Sequence, residues 1–114
     1  MSNYISILKN TIKRLSSRDG VIGVIIMDKD GFTLDTDLPA IQSEQISAHV
    51  GTIINRVMDV VNAGQTVKNV KKNNILYSTG ELKEILISLE TMELLIIPNQ
   101  EIGFNVVLLQ KTFN

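Results

Sequence analysis

The stretch VIGVIIMDKDGFTLDTD, from Val21 to Asp37, admits two readings that lead to different folds. In one, Ile26 to Asp37 is a calcium loop of the EF-hand kind, carrying Asp28, Asp30, Asp35, Asp37 and Gly31. In the other, DKDG is a turn between two antiparallel strands. A calcium loop needs side-chain oxygens at its first, third and fifth positions, glycine at the sixth, and a bidentate carboxylate at the twelfth, after an entering helix. With Gly31 sixth, the first position is Ile26, which has no side-chain oxygen. The twelfth is Asp37, one methylene shorter than the usual glutamate. The entering segment VIGVIIM is β-branched and apolar on alternate faces, which is a strand pattern. The turn reading therefore prevails: an Asp-initiated turn with a glycine able to take positive φ makes a short hairpin connection.

Working outward, Val21 to Asp28 is apolar on both faces and predicts a strand covered on both sides. Phe32, Leu34 and Thr36 alternate with Thr33, Asp35 and Asp37, which predicts a strand with one wet face near a sheet edge. Asp35 and Asp37 share that face and could pair, but no general-acid environment accompanies them. Ser2 to Ser17 predicts a helix with Ile5, Leu8, Ile12 and Leu15 on its inner face and Lys9, Lys13 and Arg14 solvated. Ser2 or Asn3 caps its start and Asp19-Gly20 ends it.

Ala40 to Ala63 predicts a longer helix after Pro39, with Ser43 as an alternative working start and Asn62-Ala63-Gly64 ending it. At about 100° per residue, Val60, Ile53, Ile46, Val57, Val50, Val61 and Ile54 form one apolar stripe. It widens through Ser47, Met58 and Gly51 beyond the roughly 100° that a surface helix needs. The extra width predicts a second contact beside the sheet, where Ser47 and Gly51 are small enough for another helix to approach. Gln65 to Leu82 reads as a long loop with a short extended piece at Ile75, Leu76 and Tyr77. Glu84 to Glu90 is a strand with Ile85, Ile87 and Leu89 on one face and Leu86 and Ser88 on the other. Glu93 to Ile97 is a strand ended by Pro98, and Ile102 to Gln110 is a strand apolar on both faces. The expected fold is α/β: a single domain over residues 1–114, with a five-stranded antiparallel sheet and one helix on each face. Strands apolar on both faces lie centrally and the half-wet ones at the edges.

Composition bounds the function. The 114 residues are 44% hydrophobic and 20% charged with net charge −1, which suits one folded domain and gives no field to steer nucleic acid or an anionic membrane. There is no cysteine, so thiolate metal sites and cysteine nucleophiles are excluded. No signal peptide and no run long enough to span a bilayer is recognised, and a cytoplasmic location is expected. The one histidine, His49, has no nucleophile or orienting partner at a recognisable spacing. The seven glycines form no phosphate-cradling motif, and 4% aromatic residues make no base-stacking platform. Lys68, Lys71 and Lys72 read as a soluble loop. No catalytic residue, metal site or cofactor is expected.

Three pieces in order carry a family resemblance: an amphipathic helix followed by DGVIGVIIMDKDGFTL, a long second helix, and GELKEILISLETMELLIIPNQEIGFNVVLLQ. The chain resembles the roadblock family of dynein light chains and its bacterial and archaeal relatives. The match rests on Gly20-Val21-Ile22-Gly23 before the first strand, on the Asp30-Gly31 turn, and on the GEL start of the third strand. It extends over nearly the whole chain, without the third, C-terminal helix of many members. The resemblance implies a dimer paired through the second helix and the third strand. The spare side of the helix stripe (Ser47, Gly51, Ile54 and Met58) and the outer face of the strand (Leu86 and Ser88) are the residues expected there. It further implies a non-catalytic homodimeric scaffold, or a heterodimer with a paralogue, that binds and regulates a small Ras-like GTPase. Arg14, Arg18 and Arg56 are expected as salt-bridged surface residues, not as arginine fingers. The alternative is an adaptor light chain of a motor or signalling complex, binding peptide segments independent of nucleotide. A small-molecule sensor or metal-dependent enzyme on a similar sheet is a third class.

Overall fold

The computed structural model describes residues 2–66, 82–99 and 104–112. In chain order these residues form α1 (Ser2–Ser16), β1 (Val21–Asp28), β2 (Thr33–Thr36), α2 (Ala40–Thr66), β3 (Ile85–Ser88), β4 (Met92–Asn99) and β5 (Phe104–Lys111). The strands make one antiparallel sheet in the order β2-β1-β5-β4-β3. The doubly apolar β1 and β5 are central and the shorter, wetter β2 and β3 are the edges, as the patterning predicts.

Alternation along β1 divides the core between the two helices. Val24 and Ile26 face α1 and are buried with Leu8, Ile12 and Leu108. Ile25 and Met27 face α2 and are buried with Val50, Ile96, Val107 and Leu109. Each fully buried aliphatic side chain contributes roughly 1.5–3 kcal/mol, so both helices are held by the strand between them. Gly20, at φ 85, turns the chain from α1 into β1.

Several boundaries differ from the sequence reading. Ile5 is 53% exposed, because α1 sits on the sheet through Leu8, Ile12 and Leu15 instead. Phe32 lies outside β2, and the β1–β2 register shifts between Ile26↔Asp35 and Met27↔Thr33. That bulge leaves Leu34 and Asp35 together opposite Ile26, so strict alternation breaks there. α2 begins at Ala40, with the Ser43 amide bonded to the Pro39 carbonyl, so Ser43 is inside the helix. The helix also runs through Asn62-Ala63-Gly64 to Thr66, because a glycine costs a helix only about 1 kcal/mol and does not by itself end it. Val60, expected on the apolar stripe, is 70% exposed. Pro98 does not end β4: it pairs with Asn105 inside the strand. The β3 ladder reaches only as far as Ile96, so at Pro98 the strand has one described neighbour and the missing N–H interrupts no second ladder. Of the loop expected from Gln65 to Leu82, Gln65 and Thr66 belong to α2, and residues 67–81, with Lys68, Lys71, Lys72, Ile75, Leu76 and Tyr77, lie outside the described residues.

Candidate functional site

The hairpin tip is organised by one carboxylate. Asp28 Oδ1 accepts from the backbone N–H groups of Asp30 and Phe32, both at 2.9 Å. The Asp28 amide donates to the Phe32 carbonyl and the Gly31 amide to the Asp28 carbonyl. Gly31 takes φ 93 and lies against α2, next to Gly51. The Asp28 carboxylate thus serves the loop's own backbone, which is the turn reading in atomic terms. Asp35 and Asp37 do not act as a pair. Asp35 lies 4.0 Å from Lys9 Nζ and accepts from the Thr36 amide, while Asp37 accepts from the Val24 amide at 2.8 Å.

The sheet's two edges differ chemically. On β2 the ladder carries a bulge and Asp35 Oδ1 takes the Thr36 N–H, while just past the strand Thr36 Oγ1 takes the Leu38 N–H at 3.0 Å. An edge so blunted resists further strand pairing. On β3, Ile85 and Ile87 pack toward the α2-side core, while Leu86 is 52% exposed and Ser88 is exposed. Leu86 is paired with Leu95, on the α1 side of the sheet. α1 lies over β1 and β2, so the β3 end of that face carries no helix among the described residues.

The residues expected at a dimer seam fall into two groups. Leu86 and Ser88 lie on β3, whose one neighbour among the described residues is β4, and both are exposed. Ile54 is half-buried and packs against the core cluster around Val50, and Gly51 and Met58 are half-buried on the same helix. Ser47 does not lie on an open side. It is 1% exposed and shares a 2.8 Å hydrogen bond with Thr33 Oγ1. Its small size serves the approach of α2 to β2 within the chain, where a larger side chain would hold the two apart. His49 and Arg56 are on the exposed side of α2, and Arg14 and Arg18 are exposed at the end of α1. None of the three arginines has an ion-pair partner among the described residues; the ion pair there is Lys9–Asp35. No group of three or more potential metal ligands occurs among the described residues. No described helix is long and apolar enough to cross a membrane.

Sequence reasoning missed one feature. Phe32, read as part of a strand, stands 68% exposed between the hairpin and α2. A hollow of about 410 Å³ lies on one side of it, lined by Lys29, Asp30, Gly51, Thr52 and Asn55. Another of about 420 Å³ lies on the other, lined by Thr33, Glu44 and Ser47, with Ala48 common to both. The register shift that releases Phe32 depends on the paired strand, so alternation within the segment alone gives no sign of it.

Neither a protein-family model nor a curated protein matches the sequence. Solved structures do match the fold. A roadblock/LC7 domain from Streptomyces avermitilis is 12% identical, with a TM-score of 0.59 over 88% of this chain and 74% of that one. MglB in a tetrameric arrangement is 10% identical, with a TM-score of 0.61 over 90% of this chain and 69% of that one. With two helices flanking the sheet order β2-β1-β5-β4-β3, the chain has the fold of the roadblock/LC7 domain.

Proposed function

We propose that the chain is a non-catalytic homodimeric scaffold that binds and regulates a small Ras-like GTPase. The observation that carries the dimer is the contrast between the edges: β2 is blunted by its own side chains, while β3 presents Leu86 beside an edge with β4 as its described neighbour. Pairing two β3 edges about a two-fold axis continues the sheet and buries Leu86 and Ser88. Gly51, Ile54 and Met58 of α2 complete the seam. The GTPase comes from the resemblance of the GEL-type third strand and the preceding motifs to prokaryotic roadblock members. Acceleration of hydrolysis, where it occurs, works by positioning the GTPase's own residues.

The β3 edge, which has β4 as its one neighbour among the described residues, also favours a second reading, an adaptor light chain that adds a peptide strand regardless of nucleotide. One experiment separates the two. The purified chain is immobilised and lysate of the source cells is passed over it with a GTP analogue or with GDP. Bound proteins are then identified by mass spectrometry. A Ras-like GTPase enriched in one nucleotide state supports the regulator. The same set captured in both states moves the reading to the adaptor.

A further inference from the structure

We infer that the α1 face of the sheet, over β5 and β4, is the docking site of one amphipathic helix from a partner protein. That helix lies beside α1 and carries basic residues on the flank turned toward β3. The inference stands whether the chain is single or paired through β3. α1 covers β1 and β2. Beyond it the same face continues through Val106 on β5 and Leu95 on β4, both half-buried, to the exposed Leu86 on β3. Ile97, half-buried, shares the face of Leu95 by alternation and pairs with Val106. Among the described residues no helix lies over β4 and β3 on this side. α1 is itself apolar toward the gap. Lys9 reaches Asp35 on β2, while the Tyr4 ring meets Phe104 on β5 edge-on, with centroids 5.5 Å apart. At about 100° per residue, Tyr4, Ile7, Thr11 and Arg14 therefore share the flank turned to β5 and β4. Ile7 is 62% exposed there, although the sheet already holds α1 through Leu8 and Ile12.

A helix fits this space. Helix axes pack about 8–10 Å apart and strands about 4.8 Å apart, so a helix beside α1 lies about two strands over, on β5 and β4. From Phe104 to Gln110 the floor runs about 20 Å, the length of about 14 helical residues. A second sheet has no room to lie flat where α1 stands. A second copy supplies no such helix, because the outward sides of its helices are polar: Ser6, Asn10 and Lys13 on α1, and His49, Thr52 and Arg56 on α2. The charges select the flanks of the partner. Glu93 lies at one end of the floor, bonded to Gln110, and the exposed Glu84 precedes β3 at the other. Arg14 borders the α1 side, and none of the three has an ion pair among the described residues. A helix with lysine or arginine toward β3 and an acidic residue toward α1 matches all of them.

The test is selection on the full chain from a displayed library of helices of about 14 residues. Leucine is fixed at i, i+3, i+4, i+7 and i+11, and both flanks vary between lysine and glutamate. The expected winner carries lysine on one flank, and its binding moves the amide NMR signals of Ile7, Leu95 and Val106. Ile7→Glu weakens that binding by about tenfold or more, with an unchanged circular dichroism spectrum because Ile7 is exposed. Glu84→Lys shifts the preferred residue at that end from lysine to glutamate, which a merely sticky apolar surface does not do. No enrichment over scrambled sequences overturns the proposal. So does enrichment indifferent to flank charge, or a peptide whose signals map along the β3 edge as an added strand.

Discussion

Asp28 carries the hairpin through one oxygen, and its replacement exposes how much of the turn depends on it. Asp28→Ala leaves the Asp30 and Phe32 amides without their acceptor. Charge-assisted bonds of this kind are worth roughly 1.5–3 kcal/mol each when fully made, less at an exposed tip. We expect a loss of about 1–2 kcal/mol in urea denaturation, with Asp28→Asn losing less because its amide oxygen still accepts. A second position is set by packing. Gly23 is buried on β1, and a Cβ there meets Leu38 Cδ2 at 2.6 Å and Cγ at 2.8 Å. Gly23→Ala therefore forces the Leu38 side chain aside, at about 1–3 kcal/mol. Because the clash is with a side chain and not backbone, adding Leu38→Ala recovers part of that loss, and a double-mutant cycle reads the coupling. The turn at Asp28–Gly31 was legible in the sequence because its chemistry is local. The constraint at Gly23 was not, since Leu38 reaches it only after β2 has folded back.

At the scale of elements, strands and helices were legible wherever one face is apolar and the other wet. β1 was read with its observed bounds, and the central and edge strands were separated correctly, because burial on two faces or one is written in alternation. The errors share a physical origin. Gly64 and Pro98 are breakers by propensity, yet a long packed helix carries one and a strand with a single described neighbour carries the other. The Phe32–Asp35 alternation failed because a bulge is a property of a pair of strands, not of either one. Ser47, read as a small residue on the spare side of the stripe where another helix could approach, is buried inside the chain against β2, bonded to Thr33. The β3 edge carries its own prediction. Leu86→Lys places a flexible charge on an exposed position, so the monomer fold changes little, within about 0.5 kcal/mol. The charge blunts the edge, and self-association falls in sedimentation. An unchanged dimer there would place the seam away from β3.

For the whole molecule, the consequence of pairing is that folding and association become one equilibrium. The two helices cover the β1 and β2 side of the sheet more fully than the β3 end, so a free subunit leaves Leu86 in water. A second copy that covers this edge stabilises the folded form by mass action and makes the melting temperature depend on concentration. The size of that dependence follows from chain length. Tenfold in concentration is about 1.4 kcal/mol, and unfolding entropy near the melting point is about 2.1 cal/mol/K per residue. For a dimer of 114-residue chains the melting temperature should rise by roughly 2–4 °C per tenfold increase in protein. Differential scanning calorimetry from micromolar to hundreds of micromolar measures it. A constant melting temperature, with a solution mass near 12.7 kDa, would mean that the β3 edge awaits a different protein. The nucleotide dependence of capture would then be the property that decides what that protein is.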